Sequence, residues 1–138
     1  MKPATKTLSL SPCPCGNSVA YDACCGRWHH GAQRLKAPDA TTLMRSRYTA
    51  FVLNDLDYLL DTWHASTRPA SLEGNGPQVK WLGLQLRNHH QQDADHATVE
   101  FVARSRHRGQ AVRLHEISRF VREDGQWFYV DGDFVQKA

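Results

Sequence analysis

The sequence predicts an α+β fold, with helices packed on one face of a curved antiparallel sheet behind a short cysteine-bearing segment. Three observations predict it. Apolar residues recur every three to four positions between residues 39 and 63, and every second position after Pro77. Turns rich in Gly, Asn and Asp separate the later runs, as in a meander. All four cysteines of the 138-residue chain fall between Cys13 and Cys25. Helices first and strands afterwards is the α+β order, not the alternation that builds a parallel sheet.

The length suits one domain with a small appendix. A content of 41% hydrophobic and 9% aromatic residues supports a packed core, which excludes a disordered chain. No apolar run approaches the roughly 20 residues of a spanning helix. No apolar block of a secretory signal follows Lys2. A cytoplasmic location is the expectation, and there clustered cysteines hold metal more often than they form disulfides. The formal net charge is +3, and the excess sits at residues 1–38, where Lys2, Lys6, Arg27, Arg34 and Lys36 face Asp22 alone. An excess of this size reads first as a solvated surface and does not by itself argue for nucleic acid.

The elements follow in order. Residues 1–12 read as a flexible leader, 13–31 as the cysteine segment and 32–138 as the α+β domain. Asp39 or Thr41 caps a first helix whose apolar face is Leu43, Met44, Tyr48, Phe51 and Val52. Asn54-Asp55 breaks it, and Asp55 caps a second helix with Leu56, Leu59, Leu60 and Trp63 on its buried face. Glu73–Pro77 is a loop, because two glycines and a proline defeat helix and strand alike. Leu82, Leu84 and Leu86 then alternate with polar residues or glycine in a first strand. Ala97, Val99, Phe101 and Ala103 form a face of the second. Val112, Leu114, Glu116, Ser118 and Phe120 form one in the third, and Trp127–Val130 make the fourth. The turns are Gln91–Asp95, Arg108-Gly109 and Glu123–Gln126, the last with the Asp-Gly pair that favours a tight hairpin.

Cys13, Cys15, Cys24 and Cys25 give the spacing C-x-C-x8-C-C. Four thiolates this close can surround one zinc ion tetrahedrally if the chain doubles back between the pairs. Gly16-Asn17-Ser18 supplies turn-forming residues for that reversal, and Gly26 relieves crowding after the second pair. Iron also suits four thiolates, and free buried thiols or a local disulfide are the competing readings. His29 is a candidate substitute ligand, and His30 a weaker one. A site with four protein ligands has no open position, so its role is structural. Removing the metal is expected to unfold residues 13–31 and leave the rest folded.

The string CPCGNSVAYDACCG resembles the SEC-C motif, a zinc knuckle also found at the C-terminus of the SecA translocation ATPase. The resemblance implies Cys13, Cys15, Cys24 and Cys25 as zinc ligands and a chaperone or the ribosome as partner. This chain has Val19-Ala20 and Asp22 where that knuckle carries lysines. From about Ser11 to Asp133 the chain resembles the YchJ family, through LMRSRYTAFVLNDLDYLLDTWH, VKWLGLQL and LHEISRFVREDGQWFYVDGD. The family's middle part is similar to the nuclear-transport-factor-2-like fold, a cone of curved sheet wrapped by helices. That fold usually has about three helices, and the third here would be short, near Pro69–Leu72, or missing. The family implies no established activity.

Hollow cones of this kind bind small molecules or host acid–base chemistry. Glu116 is the candidate base, since its strand face is otherwise apolar and burial would favour its protonated form. His64 is its candidate partner, and Trp63 and Trp81 are candidate walls. The competing reading ties Glu116 to Arg45 or Arg47 and leaves His64 to satisfy a helix end. His115 falls on the opposite strand face from Glu116. Arg104, Arg106 and Arg108 alternate at a hairpin tip, where they either grip phosphate, as in RNA, or form a solvated, aggregation-resistant edge.

No G-x-S-x-G, P-loop or H-E-x-x-H string appears. The leading expectation is therefore a non-enzymatic binding module that uses the zinc knuckle for protein or ribonucleoprotein contact. A small-molecule binder or enzyme built on Glu116 and His64 is the second. An RNA binder using the basic leader and the three arginines is the third.

Overall fold

A computed structural model describes residues 11–135. The leader falls almost wholly outside them, including Lys2 and Lys6. The element order is a 3-10 turn at Tyr21–Ala23, α1 (Gly26–His29), α2 (Ala40–Leu53), α3 (Leu56–Asp61), β1 (Val79–Asp93), β2 (His96–His107), β3 (Gln110–Glu123) and β4 (Gln126–Phe134). The strands pair antiparallel in the order β1-β2-β3-β4, a meander. Helix α2 lies against β1, β2 and β4.

The helix ends follow their capping residues. Asp39, not Thr41, caps α2: its carboxylate accepts the Thr42 N–H at 2.8 Å and the Thr41 hydroxyl at 3.0 Å. Asn54 ends α2 in the left-handed region at φ 58°, a conformation asparagine tolerates. Asp55 then caps α3 through the Tyr58 N–H. Residues 69–72 form no helix, so among the described residues α2 and α3 are the two helices that follow the cysteine segment. Trp63 leaves the α3 helix and forms a bridge with Tyr129 of β4, flanked by His64 N–H to Tyr129 O and Tyr129 N–H to Thr62 O, both 2.8 Å.

The alternation expected in β1 is interrupted. A bulge at Leu82 lies between the Trp81–Ser105 and Gly83–Arg104 pairs. An extra residue reverses which parity faces inward. Trp81, Leu84 and Leu86 therefore pack on the core, and Leu82 is 53% exposed. The β2–β3 and β3–β4 hairpins turn at Arg108-Gly109 and Asp124-Gly125, all four residues at positive φ, as a two-residue primed turn requires.

One continuous cluster of buried side chains joins Leu43, Met44 and Tyr48 of α2 to Val99, Phe101 and Phe120 of the sheet. It also includes Tyr21 and all four cysteines. The cysteine segment is thus packed into the cone's core. Among the described residues no helix is long and apolar enough to cross a membrane.

Candidate metal centre and cone cavity

The chain doubles back between the cysteine pairs as the spacing requires. Cys13 N–H donates to Val19 O at 2.9 Å, Pro12 bridges Ala20, and Gly16 turns at φ 100°. Gly26 lets Tyr21 close over the second pair, since a Cβ there would meet Tyr21 O at 2.9 Å. The four Sγ atoms lie within 4.8 Å of one another, all buried. Thiolates at zinc-like bond lengths in a tetrahedron stand about 3.8 Å apart, and Cys15 Sγ to Cys24 Sγ is 3.7 Å. Hydrogen bonding to the Cys13 sulfur, with burial, pushes the Cys15 and Cys25 thiols up. Four thiolates can share this volume only with a cation among them, so the donor set fits a metal ion. The Asn17 side-chain amide donates to Cys24 Sγ at 3.5 Å and Thr49 Oγ1 to Cys25 Sγ at 3.4 Å. Arg45 of α2 donates to Cys15 O at 3.0 Å.

His29 is not a fifth candidate. Its Nε2 faces Ser46 O at 2.8 Å and its Nδ1 faces the Tyr21 hydroxyl at 2.7 Å. A carbonyl only accepts, so Nε2 carries the proton and Nδ1 accepts from Tyr21. Burial lowers the His29 pKa and keeps the ring neutral. Both nitrogens are engaged, which leaves none for a metal.

Within the cone a cavity of about 270 Å3 opens between α2 and the sheet. Trp63, Trp81 and Glu116 line it together with Arg47, Ser118 and Tyr129, and with apolar walls from Met44, Phe51, Phe101 and Leu114. Glu116 Oε2 accepts from the Ser118 hydroxyl at 2.6 Å and the Tyr129 hydroxyl at 3.2 Å. Burial first, and Glu116 beside it, push Tyr129 above its ordinary value. The carboxylate leans over Gly132, where a Cβ would overlap it.

Neither ion pair weighed for Glu116 forms. Arg45 serves the cysteine segment. Arg47 donates to Leu59 O at 2.8 Å and Thr62 Oγ1 at 2.6 Å. Its guanidinium sits 4.6 Å from the Tyr129 ring centre and 5.2 Å from that of Trp63. Burial pushes Arg47 down to about 10, still protonated at neutral pH. The indole N–H groups of Trp63 and Trp81 are buried without a hydrogen-bond partner.

His64 does not join Glu116. Its Nε2 faces Glu123 at 3.0 Å and its Nδ1 faces the Ser66 hydroxyl at 2.7 Å, because its backbone pairing with Tyr129 turns the ring toward Phe128. His115 does lie on the opposite sheet face, 2.6 Å from Glu100. Arg104 and Arg106 are exposed on that outer face, whereas Arg108 lies in the turn after β2 ends at His107.

Sequence reasoning missed Tyr129, Gly132 and Asn75. Tyr129 was legible only as part of a short apolar run. Asn75 holds the loop at the cavity mouth: its Nδ2 donates to Phe51 O at 2.5 Å and its N–H to Asn54 Oδ1 at 2.6 Å. No signal along the chain ties residue 75 to residues 51 and 54.

Comparison with known proteins agrees with this architecture. The family described as "YchJ, middle NTF2-like domain" matches residues 39–132. A UPF0225 protein of Bordetella parapertussis is 65% identical over 125 residues, covering 91% of this chain and 94% of the relative. One from Methylibium petroleiphilum is 59% identical over 133 residues, covering 96% and 95%. The solution structure of a SEC-C motif containing protein from Rhodopseudomonas palustris superposes with a TM-score of 0.76 at 31% identity, covering 90% of this chain and 98% of that one. A crystal structure of a SEC-C motif containing protein from Psychrobacter arcticus gives 0.75 at 25% identity, covering 95% and 86%. By its middle domain and its UPF0225 relatives, the chain belongs to the YchJ family.

Proposed function

We propose that the chain binds a small molecule in the cone cavity, and that a structural zinc ion on Cys13, Cys15, Cys24 and Cys25 braces the cone. The carrying observation is the cavity of about 270 Å3 that stays open around a Glu116 without an ion pair. That volume is at the small end of ligand pockets, and aromatic walls with a few polar groups are their usual lining. Arg47 offsets Glu116 in charge and Glu73 adds a second carboxylate, which disfavours an anionic ligand. The aromatic walls favour a planar one, and Glu116 favours a ligand that carries a hydrogen-bond donor. Neither histidine nor cysteine lines the cavity, so binding is the better reading than acid–base catalysis through His64.

Zinc on four thiolates supplies cross-linking and no open coordination position. The cysteines face the shared core, which supports bracing more than it supports a docking surface for a protein partner. The test is mapping by NMR with naphthol, a planar probe with one donor. Shifts confined to the amides of Ala103, Leu114, Ser118 and Tyr129 support the reading. Shifts scattered over the surface, or none at millimolar probe, overturn it.

A further inference from the structure

The outer face of the sheet separates its charges. At one end Arg119 pairs with Asp131 and Asp133. At the other end Lys80 stands directly opposite Arg106, and Arg104 directly opposite Arg113. All four are exposed, and among the described residues their side chains make no hydrogen bond or ion pair. The first acid along this face, Glu100, is held by His115. Like charges directly across an antiparallel pair destabilise the sheet, and here two such pairs are adjacent. Protection of an edge strand explains Lys80 on β1. It does not explain three arginines on the central strands β2 and β3.

From this placement we propose that Lys80, Arg104, Arg106 and Arg113 form a binding face for the phosphate backbone of a nucleic-acid strand. Guanidinium groups match phosphate oxygens in pairs, and bound phosphates relieve both cross-strand repulsions. No aromatic side chain is exposed on this end of the face, so the contacts go to the backbone without reading sequence. The site is separate from the cone cavity, which opens on the inner face.

The test is anisotropy of a labelled oligouridine titrated with the full zinc-loaded chain. Four phosphate contacts give a log–log salt slope of about −3, hence roughly fifty-fold weaker binding at 200 than at 50 mM salt. R104Q/R113Q, expected to fold with an unreduced Tm, should about halve that slope. K36Q/R68Q removes the same charge from loops outside the sheet and should leave the slope near wild type. Salt-insensitive binding, no binding, or equal losses in both variants would overturn the proposal. Binding poly-glutamate as tightly as oligouridine would also overturn it, since the face would then be reading acidic protein.

Discussion

Thr49, in the middle of α2, donates its hydroxyl to Cys25 Sγ at 3.4 Å. It also lies 3.6 Å from Cys13 Sγ. The cysteine segment is therefore fastened to the longest helix of the cone, and Arg45 adds a second tie through Cys15 O. A knuckle that folds or unfolds alone does not fit this packing.

Chelation should consequently disturb more than residues 13–31. Metal-linked folding energy is shared with whatever packs on the site. Amide spectra taken before and after a strong chelator should shift at Thr49 and Ala50 as well. Cys24→Ser should cost about 3 kcal/mol or more in denaturant unfolding. A spectrum changed only at residues 13–31 would restore the independent knuckle.

His29 supplies a pH signature. Burial holds its folded pKa below the ordinary 6.5. The stability it contributes is complete above that value and is lost as pH falls below it, because the unfolded chain takes up the proton first. Long-range 15N NMR should show a neutral ring with the proton on Nε2 at pH 6.5. A proton on Nδ1, or a ring titrating like an exposed histidine, contradicts the Tyr21–His29–Ser46 chain.

Gly132 should be intolerant of a methyl group, because the Glu116 carboxylate fills that space. Gly132→Ala is expected to cost about 1–3 kcal/mol as overpacking. In an Glu116→Ala background the cost should shrink by about 1 kcal/mol or more, measured as a double-mutant cycle. Strict additivity would place the carboxylate elsewhere.

Much of this molecule was legible along the chain. The period change at Pro77, the caps at Asp39 and Asp55 and the Asp124-Gly125 hairpin are local signals, and α2, α3 and the four strands follow from them, whereas the 3-10 turn and α1 beside the cysteines do not. The cysteine cluster was legible because its four residues lie within thirteen positions of one another. The bulge at Leu82 was not, because a register shift depends on what the partner strand offers, here Ser105 and Arg104. His64 was misdirected because its rotation is set by the distant Tyr129 backbone. Arg113 joined Arg104 only once β2 and β3 were in register.

The central claim is that the cone cavity takes up a small planar molecule. Calorimetric titration of the full zinc-loaded chain with naphthol, beside a folded Ala103→Leu variant that fills the cavity, tests it most directly. One saturable site in the wild type, weakened at least tenfold in the variant, is the result predicted. Equal binding by both proteins, or no saturable binding by the wild type, would contradict it.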